Sequence, residues 1–484
     1  MGQPASTRPL TRRGFLLGVA TGLGIGVPLS WLAARRFPLL WPAGSSLEPE
    51  VSTSRSGRMP SEMMPGRYPG RVVEVRHPEA VTPDNQIVGP VVNRMVDAGM
   101  AELTGYGPGD PYAWKTLFSK DDVVGIKVNP VGRKPLAGEG RVHNAVGSIS
   151  SFELLHKVVS SLRQAGLPAS NIIVFERYAN EFCEAGYKDF VERELPGVRW
   201  LCAAASYSGQ QLDIRGLDPD CVQMAPEVLR NVAGYDPDVF TSMGYCLPEH
   251  SRHDDRRFRS HLTTIVSRLI SKMITLPVLK DHRSAGVTLS LKNMSHGMNN
   301  NVARSHLAGI AHGFGSAERV MGPNQCNTFI PQCVSQQRLR EKATLHIMDG
   351  LIGVYEGGPG SWNRTWGTWR RKSIFFATDP VAMDHVGWDI IDAKRAEVGW
   401  APVERMGWLF QTPGTPYASA MASFAASNPL AAATLEAATS NIMSGRGSEA
   451  FNMRQPDHVV LAGQLGLGIF DNQRITYLVR QLAG

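Results

Sequence analysis

The chain has 484 residues, of which 43% are hydrophobic and 19% are charged, a balance typical of a globular protein with a full core. This length allows about two to four units of ordinary size, or one large α/β unit with insertions. The net charge of +7 falls by five to +2 when the arginines of residues 1–36, which contain no acidic residue, are set aside, so the body gives no indication of nucleic-acid binding.

The N-terminal segment has the features of a targeting signal. Residues 11–17 (TRRGFLL) match the twin-arginine export motif, and a weakly apolar run follows from Gly18 to Ala34. The run contains four glycines and Pro28 and falls short of the ~20 apolar residues of a membrane span. We therefore predict export to the periplasm by the twin-arginine machinery, with residues 1–36 as the signal or as a retained membrane tether. Residues 37–69 are rich in Pro, Ser and Gly and are predicted to form a linker.

Between residues 70 and 411, short apolar strands alternate with amphipathic helices. This order is typical of an α/β fold with a largely parallel sheet, flanked by helices and carrying loop-rich insertions. Strands are predicted at 71–76, 122–128, 171–175, 198–202, 343–348 and 373–377. Helices are predicted at 88–104, 150–166, 179–193 and 379–393, with a capping box at Ser150 and an N-cap at Asp379.

The remaining segments lack a clear period. Residues 203–260 are predicted to be a loop-rich insertion, 302–341 to be irregular, and 353–360 to be a glycine-rich loop. Residues 412–456 are rich in Ala and Ser and are predicted to form a surface excursion. The tail at 457–484 is predicted to be a small helix-loop-helix that packs on the same domain.

One stretch, residues 273–301, contains more charged and polar side chains than a hydrophobic core needs. An apolar strand ends in Lys280, Asp281 and His282, a glycine-containing turn follows, and Thr288, Lys292, Asn293 and His296 come close behind. We interpret this stretch as the floor of a ligand site.

Other predicted strands also end in polar groups. They are Lys127 with Asn129, Glu176 with Arg177, and Asp349. In open parallel sheets ligands lie beyond the carboxyl ends of the strands, so these groups meet at one edge if their strands are parallel neighbours.

The residue types suggest roles in such a site. Lys127, Lys280 and Lys292 would hold a carboxylate or phosphate, although solvated surface lysines are the alternative. His282, oriented by Asp281, is the acid–base candidate. The other predicted ligand-binding residues are Asn129, Glu176, Arg177, Thr288, Asn293 and Asp349. An ordinary ion pair remains open for Glu176 and Arg177, and a turn cap for each aspartate.

The sequence does not encode a local metal or cluster site. Its six cysteines form no CxxC pair, which leaves buried thiols or disulfides open, and its histidines do not match a known ligand spacing. We predict no metal ligands and leave the cofactor open.

Five blocks resemble the signature of domain-of-unknown-function family 362. They are VGIKVN (124–129), IIVFER (172–177), LPVLKDH with GVTLSLKN (276–293), IMDGLIGVYEGGP (347–359) and ATDPVAMD (377–384). The resemblance spans about residues 70–410 and resumes near 457–470. It implies a fold and key residues but no settled reaction. Some members carry a ferredoxin-type iron–sulfur module, and this chain lacks the corresponding cysteine runs.

Three hypotheses for the function follow. The first is an exported enzyme, or cofactor-dependent protein, that acts on a small anionic ligand. The second is a non-catalytic periplasmic binding protein with the same pocket. The third is a redox protein that is associated with an iron–sulfur group or holds a metal through Asp349, His282 and His296.

Overall fold

The computed structural model of the protein describes residues 63–131, 149–207, 212–218, 224–242, 259–282, 285–305, 326–360, 366–403 and 456–484. All of these belong to one compact unit, Met59–Gly484. The predicted export signal, most of the predicted linker and nearly all of the Ala/Ser-rich segment lie outside the described residues.

Thirteen strands are found in the described residues. They are β1 (Arg71–Arg76), β2 (Val124–Lys127), β3 (Ile172–Tyr178), β4 (Arg199–Ala204), β5 (Tyr235–Ser242), β6 (Arg259–Thr263), β7 (Lys272–Thr275), β8 (Val278–His282), β9 (Gly286–Val287), β10 (Ala343–Glu356), β11 (Gly367–Trp369), β12 (Ser373–Ala377) and β13 (Thr476–Gln481).

The α-helices alternate with these strands. They are α1 (Gly89–Thr104), α2 (Pro111–Lys115), α3 (Phe152–Gln164), α4 (Ala179–Glu184), α5 (Tyr187–Glu194), α6 (Pro226–Leu229), α7 (Leu289–Ser295), α8 (Cys326–Val334), α9 (Gln337–Lys342), α10 (Pro380–Glu397) and α11 (Asp457–Gln464). Short 3₁₀ turns occur at Ala169–Asn171, Val302–Ser305 and Asn472–Arg474, and a π-helical turn at Ile265–Leu269. Within the described residues, none of the helices has both the length and the apolar character needed to cross a membrane.

Eleven of the strands form one mostly parallel sheet, which confirms the predicted fold class. Its main order is β13-β1-β12-β10-β7-β2-β3-β4, with β8, β9 and β11 attached at the β10 side. The neighbours β10, β7, β2, β3 and β4 are all parallel, whereas β12 is antiparallel to both of its neighbours. The separate pair β5–β6 is antiparallel.

Both faces of the parallel region are buried. In β3, Ile172 and Val174 belong to one hydrophobic cluster, while Ile173 and Phe175 belong to the cluster on the other face. Because successive strand residues point to opposite faces, a strand covered on both sides reads as a continuous apolar run. This explains why the strands stood out in the sequence as runs rather than as alternating patterns.

Several predictions about single elements need correction. Helix α3 begins after Ser151, and the hydroxyl of Ser150 instead donates to the carbonyl of Leu276 at 2.5 Å, so the capping box is wrong. The segment predicted to be irregular contains α8 and α9, and the predicted insertion contains α6 and β5. Strand β10 continues through the predicted start of the glycine-rich loop to Glu356 because β8 and β11 supply further pairing partners.

The C-terminal tail is helix, turn and strand rather than helix-loop-helix. Helix α11 is followed by the 3₁₀ turn and by β13, which pairs in parallel with β1 over six residues, from Arg71↔Thr476 to Arg76↔Gln481. The periodicity of apolar residues could not identify β13, because its side chains are mostly exposed and do not alternate between apolar and polar.

Two buried aspartates of the ATDPVAMD block fix the position of the site. Asp379 caps α10 as predicted, accepting from the N–H groups of Val381 and Ala382, and it also accepts from Gly70 and Ile469 at 2.9 Å. Asp384, further along α10, accepts from the N–H groups of Ser290 and Leu291 in the first turn of α7, both at 2.8 Å. Burial raises the pKa of Asp384 to about 8. Helix α7, which carries Lys292 and Asn293, is therefore anchored directly to α10.

Candidate active site

A cavity of about 390 Å³ opens at the carboxyl ends of β2, β3 and β8. A volume of this size suits a small molecule. The described residues that line it are Lys127, Asn129, Val131, Glu176, Arg177, Tyr178, Glu181, Tyr207, Lys280, His282, Thr288, Lys292, Asn293, His296, Gly297, Val302 and Pro359. The structure thus brings together nine of the eleven residues predicted for the site, and leaves Asp281 and Asp349 out of the lining.

The strand order explains this convergence. Strands β2 and β3 are parallel neighbours, with Lys127 opposite Phe175, so the polar residues that follow each strand reach the same edge. Strand β8 follows β7, the other neighbour of β2, and delivers Lys280 and His282 to that edge. The short turn through β9 then places α7 above the strand ends.

Lys127 is buried and fully hydrogen-bonded. Its amine donates to Glu176 Oε2 at 2.5 Å, to the Val128 carbonyl at 2.7 Å and to Asn293 Oδ1 at 3.1 Å. Burial lowers the pKa of Lys127, and the neighbouring Glu176 carboxylate opposes that shift. Since all three N–H donors of its amine are used, Lys127 contributes positive charge to the cavity but no hydrogen-bond donor for a ligand.

Gly297 makes room for this cluster. A Cβ at position 297 would lie 2.2 Å from the carbonyl oxygen of Asn293 and 2.8 Å from Lys127 Nζ. No side chain fits at these distances, so the close approach of the chain after α7 to the lysine requires glycine here.

Lys280 has no solvent exposure. Its amine donates to Asn129 Oδ1 at 3.3 Å and to the carbonyls of Val131 and Pro359 at 3.1 and 3.2 Å. Burial, followed by repulsion from Lys292, lowers the pKa of Lys280 to about 7. That repulsion places the two lysines near one another, as the sequence predicted for the two sides of one turn.

Lys292 differs from the other two lysines. Its side chain lines the cavity while the residue is only 9% exposed, and among the described residues nothing accepts a hydrogen bond from its amine. Burial lowers the pKa of Lys292 to about 8; the Cys326 thiol opposes the shift, while Arg177 and Lys127 add to it. An amine on a largely buried residue that lacks a protein acceptor can donate to a ligand in the cavity.

Three further polar atoms of the cavity lining lack partners among the described residues. Asn293 Nδ2 and Arg177 Nε are buried without an acceptor, and Glu181 Oε2 is buried without a donor. Burial and the nearby Glu176 carboxylate raise the pKa of Glu181 to about 7, against the opposing effect of Arg177. The cavity therefore presents unused donors and an unused acceptor to whatever fills it.

Sequence reasoning missed Glu181. The residue lies in the first turn of α4, directly after β3, and so at the same carboxyl edge as Glu176. The rule that located the site at strand ends also covers the first turn of the following helix. The amphipathic period of 179–193 drew attention to the apolar face instead.

Asp281 and His282 do not act together in the way the sequence suggested. Asp281 Oδ1 accepts from the Gly358 N–H at 2.7 Å, and His282 Nδ1 accepts from the Ala285 N–H at 3.1 Å. Neighbouring residues in a strand point to opposite faces, so only His282 of this pair reaches the cavity. The backbone of Ala285 fixes the ring, and Asp281 secures the chain that follows β10.

Asp349 acts as a structural tie. Its Oδ2 accepts from the N–H and the hydroxyl of Ser151 at 2.8 and 2.6 Å, and its Oδ1 accepts from the Leu351 N–H at 3.0 Å. Because β10 continues past this position, Asp349 lies within the strand rather than at its end. Burial raises the pKa of Asp349, and the hydrogen bonds from Ser151 oppose that shift.

The histidine and cysteine side chains do not form a ligand cluster in the described residues. No group of three or more His, Cys, Asp or Glu side chains there is arranged to hold a metal ion. His296 Nε2 lies 2.6 Å from the Ser305 hydroxyl and 4.0 Å from Cys326 Sγ. Cys183, Cys202, Cys326 and Cys333 form no disulfide within the described residues, and Cys221, Cys246, His306 and His312 lie outside them.

The charge of the described lining favours an anion. Lys127, Arg177, Lys280 and Lys292 face only two carboxylates, Glu176 and Glu181. The guanidinium of Arg177 donates to the His296 carbonyl and lies 4.1 Å from the centroid of the Tyr178 ring, and these contacts hold it in place. An anion entering this partly desolvated space meets uncompensated positive charge.

Comparisons with known proteins find a family model and a distant structure. Residues 257–389 match the family model described as Domain of unknown function (DUF362), which supports the family resemblance over these residues and spans three of the five sequence blocks. No curated protein matches the chain. A similar solved structure, the lactate racemase apoprotein from Thermoanaerobacterium thermosaccharolyticum, has 10% identity and a TM-score of 0.29, with 60% of this chain and 52% of that chain covered. The match spans about half the length of that protein.

Proposed function

We propose that this member of the DUF362 family is an exported enzyme that binds a small anionic substrate, a carboxylate or a phosphate, in the cavity at the carboxyl edge of its sheet. The observation that carries the proposal is the excess of buried positive charge around a cavity of about 390 Å³. Lys292 and Asn293 supply donors that no described residue uses, and Lys280 adds positive charge to the same lining.

The titratable groups favour an enzyme over a passive binding protein. Lys280 and Glu181 have pKa values shifted to about 7, and that of Lys292 is shifted to about 8, all in one cavity. Groups poised near neutral pH are what proton transfer requires, whereas a binding protein needs only fixed charges. A binding protein with the same pocket remains the second candidate, and turnover in a metabolite screen separates the two.

Thermal melting with a panel of small carboxylates and inorganic phosphate tests the anion site. At least one anion is expected to raise the melting temperature, since a ligand at about 100 times its Kd stabilises by about 2.7 kcal/mol. Lys292→Met and Lys280→Met should each lose most of that shift. The matched control is Lys272→Met, which removes a part-buried lysine bound to the Leu117 carbonyl away from the cavity, and should keep it.

The same measurement gives a pH dependence. Binding should weaken between pH 6 and pH 9, because Lys280 and Lys292 lose their charges near pH 7 and pH 8. Each charge-assisted contact is worth about 1.5–3 kcal/mol, so the affinity should fall at least roughly tenfold. An anion-induced shift that survives in both cavity variants, or that is independent of pH, contradicts the site.

Export is tested separately, by cell fractionation of a double variant. The paired guanidinium groups of the signal are what the twin-arginine machinery reads, and lysine does not reproduce their geometry. Arg12→Lys with Arg13→Lys should therefore leave the folded protein in the cytoplasm. If the double variant still reaches the periplasm, the export assignment is wrong while the cavity proposal stands.

A further inference from the structure

The three cavity lysines are not equivalent, and the difference lies in their hydrogen bonds. Lys127 and Lys280 each donate to three acceptors within the protein. The amine of Lys292 has no acceptor among the described residues, although the residue is nine-tenths buried and lines the cavity. An amine whose hydrogens are all engaged is held in position, whereas an amine without acceptors is available for reaction.

We infer that Lys292 is a nucleophile that forms an imine with a small anion bearing a carbonyl group, such as a 2-oxo acid or an aldehyde phosphate. This inference rests on the proposed function, because the surrounding cations are what would bring such an anion into the cavity. A ligand of this class matches both features of the lining, since its anionic group meets the positive charge and its carbonyl carbon meets the free amine.

The electrostatic surroundings favour the reactive form of the amine. Only a neutral lysine has the lone pair that attacks a carbonyl, and desolvation next to other cations is a recognised way to obtain it. Burial lowers the pKa of Lys292 to about 8, and Arg177 and Lys127 contribute to the shift in the face of an opposing effect from Cys326. A substantial fraction of the amine is therefore neutral at physiological pH.

The reaction balances with groups that line the same cavity. The lone pair of Lys292 Nζ forms a bond to the carbonyl carbon while the carbon–oxygen π pair moves to oxygen. A proton passes from the nitrogen to that oxygen, and loss of one water molecule gives the carbon–nitrogen double bond. Glu181, with a buried unpartnered oxygen and a pKa of about 7, is the group in this lining suited to carry the protons.

The experiment is reductive trapping on the full purified protein, with glyoxylate and pyruvate as the probes. Each probe is incubated at pH 7.5 with cyanoborohydride, which reduces an imine to a stable secondary amine, and labelled lysines are located by peptide mass spectrometry. Labelling at Lys292 should exceed that at the exposed Lys120 by roughly tenfold or more, because far more of the Lys292 amine is neutral at this pH.

Two controls separate a site from general lysine reactivity. Lys342 also has a pKa lowered by burial, but its amine donates to the carbonyls of Val266 and Ser267 outside the cavity. It should label no more than Lys120. The variant Lys292→Arg keeps the positive charge but cannot form an imine, so the label should disappear from the peptide that contains position 292.

The outcomes distinguish this inference from the proposed function on which it rests. An anion-induced melting shift together with selective labelling of Lys292 supports both. A melting shift with Lys292 labelled no more than Lys120 by either probe overturns the imine and leaves the anion site in place. Selective labelling without any melting shift supports the imine and, since both probes are carboxylates, also supports entry of a small anion into the cavity. Absence of both effects overturns both.

Discussion

Two clusters of buried charge in this molecule are built in opposite ways. At the far side of the sheet, the carboxylate of Glu74 accepts from Arg76, Arg371, Ser373 and the Tyr477 hydroxyl. At the cavity, by contrast, Lys292, Asn293 and Glu181 each keep a polar group without a partner among the described residues. The carboxylate at Glu74 is paired within the protein, whereas some polar groups at the cavity remain available to a ligand.

The difference appears in the pKa values. Burial raises the pKa of Glu74, but hydrogen bonds from Arg76 and its other partners outweigh that effect and lower it. In the cavity burial prevails, so the pKa of Glu181 rises to about 7 and that of Lys292 falls to about 8. Complete pairing stabilises a fold, whereas incomplete pairing near neutral pH costs stability and is common at functional sites. This contrast yields three predictions about the free energy of unfolding.

The largest effect is expected from Glu74→Gln. This change removes the charge that joins β1 to β12 and β13 and leaves two arginines without their counter-ion, so it should destabilise the protein by about 3 kcal/mol. The folded-state pKa of Glu74 lies below its unfolded value. The stabilisation is therefore present above about pH 4.5 and is lost as the pH falls through the folded pKa.

Urea denaturation at pH 7 and at low pH measures this effect. The control is Glu397→Gln, which removes a largely exposed carboxylate paired with Lys394 and should cost within about 0.5 kcal/mol. Equal losses for the two variants would remove the distinction between a fully paired cluster and a surface pair.

Lys292→Met is expected to act in the opposite direction. The folded state holds the Lys292 amine with a pKa of about 8, below its ordinary value of 10.5, so burial of the charged form opposes folding at pH 7. Replacement by an apolar side chain of similar length should raise the free energy of unfolding by about 2 kcal/mol. The gain should be complete below pH 8 and should disappear as the pH rises to about 10.5.

The control for this variant is Lys272→Met, whose amine donates to the Leu117 carbonyl and lies 3.7 Å from the Asp122 carboxylate. Loss of those contacts should destabilise the protein. A destabilised Lys292→Met variant would indicate that the amine has a structural partner, and the contrast between the two clusters would fail.

The smallest effect is expected from Glu181→Gln. The residue as a whole is partly exposed although its Oε2 is buried. Removal of the carboxylate, whose ionised form is disfavoured by burial, should therefore stabilise the protein by only about 0.5–1 kcal/mol at pH 8. The effect should vanish near pH 4.5, where the carboxyl group is largely protonated in the folded state. Glu184→Gln, an exposed position on the same helix, should change stability by less at either pH, and denaturation at the two pH values makes the comparison.

The sequence by itself determined the parallel sheet and most of the candidate site. Long apolar runs identified β2, β3 and β10, because strands buried on both faces admit few polar residues. The polar groups that end β2, β3 and β8 stood out against those runs, and the parallel order then brought them to one edge. Local pattern and one general rule for parallel sheets were sufficient for this part.

Only the tertiary structure decided how each polar group is used. Asp349 and Lys280 each follow an apolar run, but β10 continues past Asp349 because β8 and β11 extend its pairing, while Lys280 reaches the cavity. The amines of Lys127, Lys280 and Lys292 are identical in chemistry, and most of the hydrogen bonds that distinguish them come from segments distant in the chain. The partners of β13 and the role of Glu181 likewise depend on long-range packing, which no local period records.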